Sequence, residues 1–104
     1  MADLDPVIHA QARLRVVSAL SAMPNNASVT FPRLQKLLDM TAGNLSTHLR
    51  KLEDAGYVTQ TKAFEGRSPV TYVELTSAGQ AAFDTYTAQL QALLEGTATG
   101  PHNT

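Results

Sequence analysis

Gly43, Asn44, Ser46, Thr47, Arg50 and Lys51 supply amide, hydroxyl, guanidinium and ammonium groups within one short stretch. At about 100° per residue, Leu45, Leu49 and Leu52 fall in a narrow arc with Ala42 beside them, while Gly43, Asn44, Thr47, Arg50 and Lys51 lie across from it. One side of such a helix packs and the other is free to touch something polar, a pattern suited to a nucleic-acid groove. Thr41 is a plausible N-cap, and Ala55-Gly56 closes the helix with a residue type that tolerates a left-handed terminus. Both helix ends are therefore encoded locally.

Other chemistries lack their reagents. The chain has no cysteine, which removes disulfides, thiolate nucleophiles and thiolate metal sites together. His9, His48 and His102 are dispersed, no serine sits in a nucleophile elbow, and no His-x-x-x-His pair exists, so neither catalytic residues nor metal ligands are assigned. His48, at the edge of the leucine face, reads as a packing or flanking residue. No cofactor and no enzymatic activity is expected. The N-terminus is acidic and no apolar run reaches the roughly 20 residues of a membrane span, which predicts a soluble cytoplasmic protein.

The 104 residues suit one modest domain. The net charge of −1 conceals an asymmetry: all eight Lys and Arg residues lie between Arg13 and Arg67, where only four acidic residues oppose them. Ser68 to Thr104 carries Glu74, Asp84 and Glu95 and no basic residue. A basic middle and an acidic end imply two different contact surfaces.

The elements that must position the polar helix can be read outward from it. Asp5-Pro6 is a helix opening, and a first helix is expected to run to about Met23, before Pro24. Its apolar residues form two groups: Val7, Ala10, Leu14 and Val17, and Ile8, Ala12, Val16, Ala19, Leu20 and Met23. One group would pack on the domain and the other on a partner subunit, or both would be covered by the same chain. Asn25-Asn26 marks a loop, Ser28-Val29-Thr30 suits one short strand, and Pro32 introduces a short second helix carrying Leu34, Leu37 and Leu38. Only Asp39 and Met40 separate it from Thr41, which makes a helix-turn-helix.

After Gly56 the period changes. Tyr57 to Phe64 and Val70 to Leu75 read as strands joined by turn residues Glu65-Gly66-Arg67-Ser68-Pro69, with Lys62 and Arg67 toward the tip. Thr76 and Ser77 cap a last helix to about Leu94, where Phe83, Tyr86, Leu90 and Leu93 form a seam for another helix. That seam either dimerises or packs on the chain's own first helix. The expected organisation is an N-terminal arm 1–5, a domain 6–95 and a flexible tail 96–104.

The order helix, strand, helix, helix, strand, wing, strand, helix resembles the small winged helix-turn-helix transcriptional regulators of the MarR and ArsR type, a mainly α fold with a small β-hairpin (α+β). The resemblance covers residues 6 to about 95. It is carried by Gly43-Asn44-Leu45-Ser46, His48-Leu49, Leu52-Glu53 and Ala55-Gly56-Tyr57-Val58, then by Lys62, Phe64, Gly66, Arg67, Pro69, Thr71, Leu75-Thr76 and Gly79. It departs at Gln80, where relatives often carry a basic residue.

The resemblance implies a DNA-binding homodimer that places helix 41–55 in the major groove and wing 62–70 at the backbone or minor groove. Asn44, Ser46, Thr47 and Arg50 are then candidates for base edges and nearby phosphates, since asparagine suits adenine, arginine suits guanine and hydroxyls serve either role. Lys51, Lys62 and Arg67 are candidate phosphate contacts. Thr41 and Gly43 would bring backbone amides to a phosphate, with Arg33 and Lys36 touching the backbone from the preceding helix. Val7, Leu14, Phe83, Tyr86, Leu90 and Leu93 are the expected dimer interface. Any small-molecule effector would sit at that interface, although no residue pattern indicates one. The alternative is a winged-helix adaptor that binds protein and not DNA.

Overall fold

A computed structural model describes residues 4–24 and 27–99, with side chains as far as residue 96. The elements run α1 (Gln11–Ser21), β1 (Val29–Thr30), α2 (Phe31–Leu38), α3 (Ala42–Asp54), β2 (Val58–Glu65), β3 (Ser68–Leu75) and α4 (Ser77–Thr99). The strands form one antiparallel sheet in the order β1-β3-β2. This is the winged-helix α+β fold that the element order implied.

Helix α1 is the central element, touching α3, α4 and β3. Val16, Val17 and Leu20 are buried on it, drawing on both apolar groups, so the same chain covers both sides. It begins at Gln11 and not at Pro6. The Asp5-Pro6 signal is real but local: Asp5 Oδ1 accepts from the Val7 amide at 2.8 Å, and the Asp5 carbonyl accepts from the His9 amide, closing a single turn. Ala10 then turns extended (ψ 127°) and α1 starts afresh. The break leaves Ile8 fully buried and puts His9 Nδ1 2.8 Å from the Tyr86 hydroxyl, contacts that replace the continuous helix. Arg13 Nε donates to the Val7 carbonyl at 2.6 Å. Asp5 also accepts from the Tyr57 hydroxyl at 2.5 Å, so it belongs to the domain rather than to a free arm. Met1 to Asp3 and the expected Asn25-Asn26 loop lie outside the described residues.

Helix α2 starts from Thr30, whose hydroxyl accepts from the Arg33 amide, and buries Leu34 and Leu38. Leu37 is 58% exposed, because an eight-residue helix braced on one side has room for a single stripe. Asp39 ends α2 in the left-handed conformation (φ 55°), a position that a short polar side chain tolerates better than most. Arg15 donates to the Leu38 carbonyl, placing a cation at the helix terminus where backbone carbonyls are unpaired.

Helix α4 is capped by Thr76, whose Oγ1 accepts from the Gly79 amide at 2.9 Å. It continues to Thr99, past the expected end at Leu94, so residues 96–99 are helix and not tail; 100–104 lie outside the described residues. Its first half packs on α1. Tyr86 of the expected dimer seam is only 2% exposed within its own chain, and Phe83 also packs on the core. The second half is exposed, with Leu94 58% open to solvent.

Candidate nucleic-acid interface

Three fully buried leucines, Leu45, Leu49 and Leu52, fix the rotation of α3. They anchor it to α1 and thereby turn Gly43, Asn44, Ser46, Thr47, Arg50 and Lys51 outward, all exposed. Thr41 Oγ1 accepts from the Asn44 amide at 3.1 Å, so the cap forms as its spacing required. The Thr47 hydroxyl donates to the Gly43 carbonyl at 3.0 Å, leaving its oxygen to accept from a ligand. A Cβ added at Gly43 would meet nothing within 4 Å, so this glycine leaves the helix start open to close approach.

The wing stands beside this face. Strands β2 and β3 pair continuously from Val58↔Leu75 to Glu65↔Ser68, leaving Gly66 and Arg67 alone in the turn. The turn is thus shorter than the five residues of turn chemistry suggested. Gly66 takes φ 64°, as the first position of a two-residue hairpin turn demands. Pro69 lies inside β3, opposite Phe64. It is tolerated because β1 covers β3 only at Tyr72 and Val73, so the missing amide faces no strand.

Side chains alternate along the hairpin. The face that buries Val58, Val73 and Leu75 continues outward through Gln60, Thr71 and Lys62 to Phe64 and Pro69. Where this face leaves the core it meets α3 across an open cleft of about 480 Å³, lined by Ser46, Arg50, Glu53, Gln60, Lys62 and Thr71, with Phe31 at its end. Gln60 Nε2 donates to Glu53 Oε1 at 3.2 Å across it. The structure therefore brings Ser46, Arg50 and Lys62 to one cleft. Lys36 borders a separate depression with Pro32, Gln35, Asp39 and Met40, and Arg67 occupies the wing turn. Gln60, Thr71 and Phe31 were not anticipated as cleft residues; the period-two run from Val58 was the signal that could have placed Gln60.

The root of the wing is tied to α4. Thr76 Oγ1 donates to the Gly56 carbonyl at 2.6 Å and the Thr76 amide to the Tyr57 carbonyl at 3.0 Å. Its bond to Asp5 is the main cause that raises the Tyr57 hydroxyl above its ordinary pKa, burial adding to it. The His48 Nδ1 is buried without a hydrogen-bond partner, and burial, reinforced by the nearby Arg13 and Lys51 cations, lowers its pKa.

Gln80, where the chain departs from the resemblance, bonds Ser21 on α1 as well as Asp84, tying α4 to α1. Between those helices lies an open, largely apolar groove of about 490 Å³, bordered by Leu14, Ala19, Leu38, Phe83 and Leu90. Val7 packs partly on the core, whereas Leu93 is 41% exposed. Among the described residues, no helix is long and apolar enough to cross a membrane.

A family model described as a winged helix DNA-binding domain matches residues 12–94. The uncharacterized protein MJ0432 of Methanocaldococcus jannaschii is 38% identical over 64 residues, covering 61% of this chain and 68% of that protein. The solved structure of a transcriptional regulator homologue from Pyrococcus horikoshii OT3 superimposes with a TM-score of 0.79 at 33% identity, covering 88% of this chain and 87% of that one. The Staphylococcus aureus MepR–DNA complex shares the fold, with a TM-score of 0.72 at 17% identity over 92% of this chain and 76% of MepR.

Proposed function

The chain belongs to the winged helix DNA-binding domain family, a family of DNA-binding modules and not of enzymes, and on that premise we propose that it is a sequence-specific transcriptional regulator acting as a homodimer on double-stranded DNA. The observation that carries the proposal is the anchoring of α3 by buried leucines so that Asn44, Ser46, Thr47 and Arg50 face outward beside a cleft whose opposite wall carries Lys62. In this reading α3 enters the major groove. Asn44 and Arg50 reach base edges, and Ser46 and Thr47 accept or donate at bases and phosphates. Lys51, Lys62 and Arg67 neutralise phosphates, the wing lies at the backbone or minor groove, and Thr41 and Gly43 bring the helix start to a phosphate. Arg33 and Lys36 reach the flanking backbone from α2.

Support for the homodimer comes from the apolar groove lined by Leu14, Ala19, Phe83 and Leu90, and from Leu93 and Leu94, which are exposed on the next turn of α4. Tyr86 serves the monomer core instead. That the P. horikoshii relative is described as a transcriptional regulator homologue agrees with this reading.

The test is selection of sites from a pool of duplexes, followed by anisotropy titration of the best site from low to moderate salt. Enrichment of an inverted repeat with half-sites about one helical turn apart and a steep salt dependence is expected. Arg50→Ala should weaken the selected site by about 1–3 kcal/mol and a scrambled duplex by less. No enriched sequence, with only weak low-salt binding, would replace this reading by the protein-binding adaptor.

A further inference from the structure

Most large apolar side chains of the described residues are covered, but Phe64 is 74% exposed. Leu93 and Leu94 belong to the outlying part of α4 and Leu37 to α2; only Phe64 lies on the wing. It is not an isolated accident of the surface. Glu65↔Ser68 is the last pair before the two-residue turn, which makes Phe64↔Pro69 the next, non-hydrogen-bonded pair, where cross-strand side chains approach closest. The two rings therefore form one apolar patch at the wing tip, on the side that faces the α3 cleft. Lys62 precedes Phe64 by two residues on the same face, and Arg67 follows in the turn.

We propose that Phe64 and Pro69 form an apolar wedge that packs against the deoxyribose walls of the DNA minor groove while Lys62 and Arg67 hold the phosphates on either side. This rests on the DNA-binding reading above. Three features of the wing together select the occupant: a narrow two-stranded tip, an apolar centre and flanking cations match a narrow groove with apolar sugar walls and an anionic rim. Wing attachment then has a component from burial, which added salt does not screen, beside the ionic one, which it does. Because the wedge contacts sugars and not base edges, it strengthens binding and favours sites whose groove width accepts the ring, without reading individual bases.

The experiment titrates full-length wild type, Phe64→Ala, Phe64→Leu and Arg67→Ala against the selected duplex across a salt series, with thermal melting of each variant. Since the ring is open to solvent, Phe64→Ala should melt with the wild type. The wedge requires that Phe64→Ala lose about tenfold in affinity at every salt concentration, with the slope of log affinity against log salt unchanged. Phe64→Leu should recover most of that loss, and Arg67→Ala, which removes one phosphate contact from each subunit of the dimer, should reduce the slope by about two. Unchanged affinity of Phe64→Ala on a duplex that the wild type binds overturns the wedge and leaves the DNA-binding reading intact. Loss of self-association in sedimentation equilibrium, with DNA affinity unaltered, assigns the patch to a second copy and overturns the wedge too. A wild type that binds no duplex overturns both.

Discussion

Replacing Gly79 by alanine sets two effects against each other, and the structure decides the sign. Gly79 lies in the first turn of α4, where alanine would ordinarily gain up to about 1 kcal/mol over glycine through helix propensity. A Cβ at this position would meet the Tyr57 carbonyl group, with the carbonyl carbon at 2.9 Å and Leu75 Cδ1 at 2.7 Å. Leucine can change rotamer, but the Tyr57 carbonyl is held by the Thr76 amide at 3.0 Å and cannot yield without moving the wing root. Overpacking against an immobile neighbour costs about 1–3 kcal/mol, which exceeds the propensity gain. Gly79→Ala should therefore lose about 1–2 kcal/mol and lower the melting temperature by about 5–15 °C in a domain of this size. Gly43→Ala is the matched contrast. It also introduces a methyl group in a helix's first turn, but in open space, so it should melt at or slightly above the wild type and lose DNA affinity by obstructing the helix start. Differential scanning calorimetry on both variants, with anisotropy on the second, makes the comparison. A Gly79→Ala protein that melts at or above the wild type would refute the close approach of α4 to the wing root.

Two further predictions concern protonation. His48 has a lowered pKa in the folded chain, so the unfolded state takes up its proton first. Its contribution to stability is full above the ordinary value of 6.5 and is lost as pH falls below it. His48→Gln should therefore show a smaller drop in melting temperature than the wild type between about pH 7.5 and pH 5.5, and equal drops would exclude His48 as the source. Tyr57 is shifted the other way: its stabilisation is present below the ordinary value of 10.0 and lost as pH rises through the higher folded value. Tyr57→Phe should cost about 1–2 kcal/mol in urea denaturation at neutral pH, by removing the donor to Asp5, and a cost below about 0.5 kcal/mol would contradict that bond.

The parts of the fold legible in the sequence are those whose cause is local. Thr41 caps α3, Leu45, Leu49 and Leu52 keep one period through it, and Gly56 takes the left-handed conformation (φ 82°) beyond its end. Long-range competition explains the departures. Asp5 does cap a turn, yet burial of Ile8 and the His9–Tyr86 contact outweigh continuation of the helix. Pro69 signals a turn unless its missing amide faces an unpaired strand edge, which only the shortness of β1 reveals. The Phe83–Tyr86–Leu90–Leu93 spacing is the same whether the facing helix belongs to this chain or to a second copy; Tyr86 is buried in its own chain against His9, while Leu93 is 41% exposed. The cleft is a matter of register. Opposing Ser46 and Arg50 to Lys62 and Thr71 requires strand pairing between residues distant from α3, so composition and helical period could supply the separate walls but not their meeting.

Net charge illustrates the same separation between content and placement. The near-neutral total argues against a DNA contact only if the charges are mixed evenly over the surface, and they are not. Arg13 is half-buried and donates to the Val7 carbonyl, and Arg15, though exposed, donates to the Leu38 carbonyl, so both guanidiniums are partly engaged within the chain. The sheet sorts its charges by alternation: Lys62 shares the cleft side with Gln60 and Phe64, while Glu65 and Glu74 fall on the opposite side. Asp84 and Glu95 lie on α4, away from the α3–wing cleft. Of the acids near the cleft, Glu53 accepts from Gln60. The cleft itself carries Arg50 and Lys62 on opposite walls, with the Glu53 carboxylate between them and Gln60. At physiological ionic strength interactions between exposed charges are largely screened beyond about 8 Å, so the charges lining the cleft, and not the total, set the field within it.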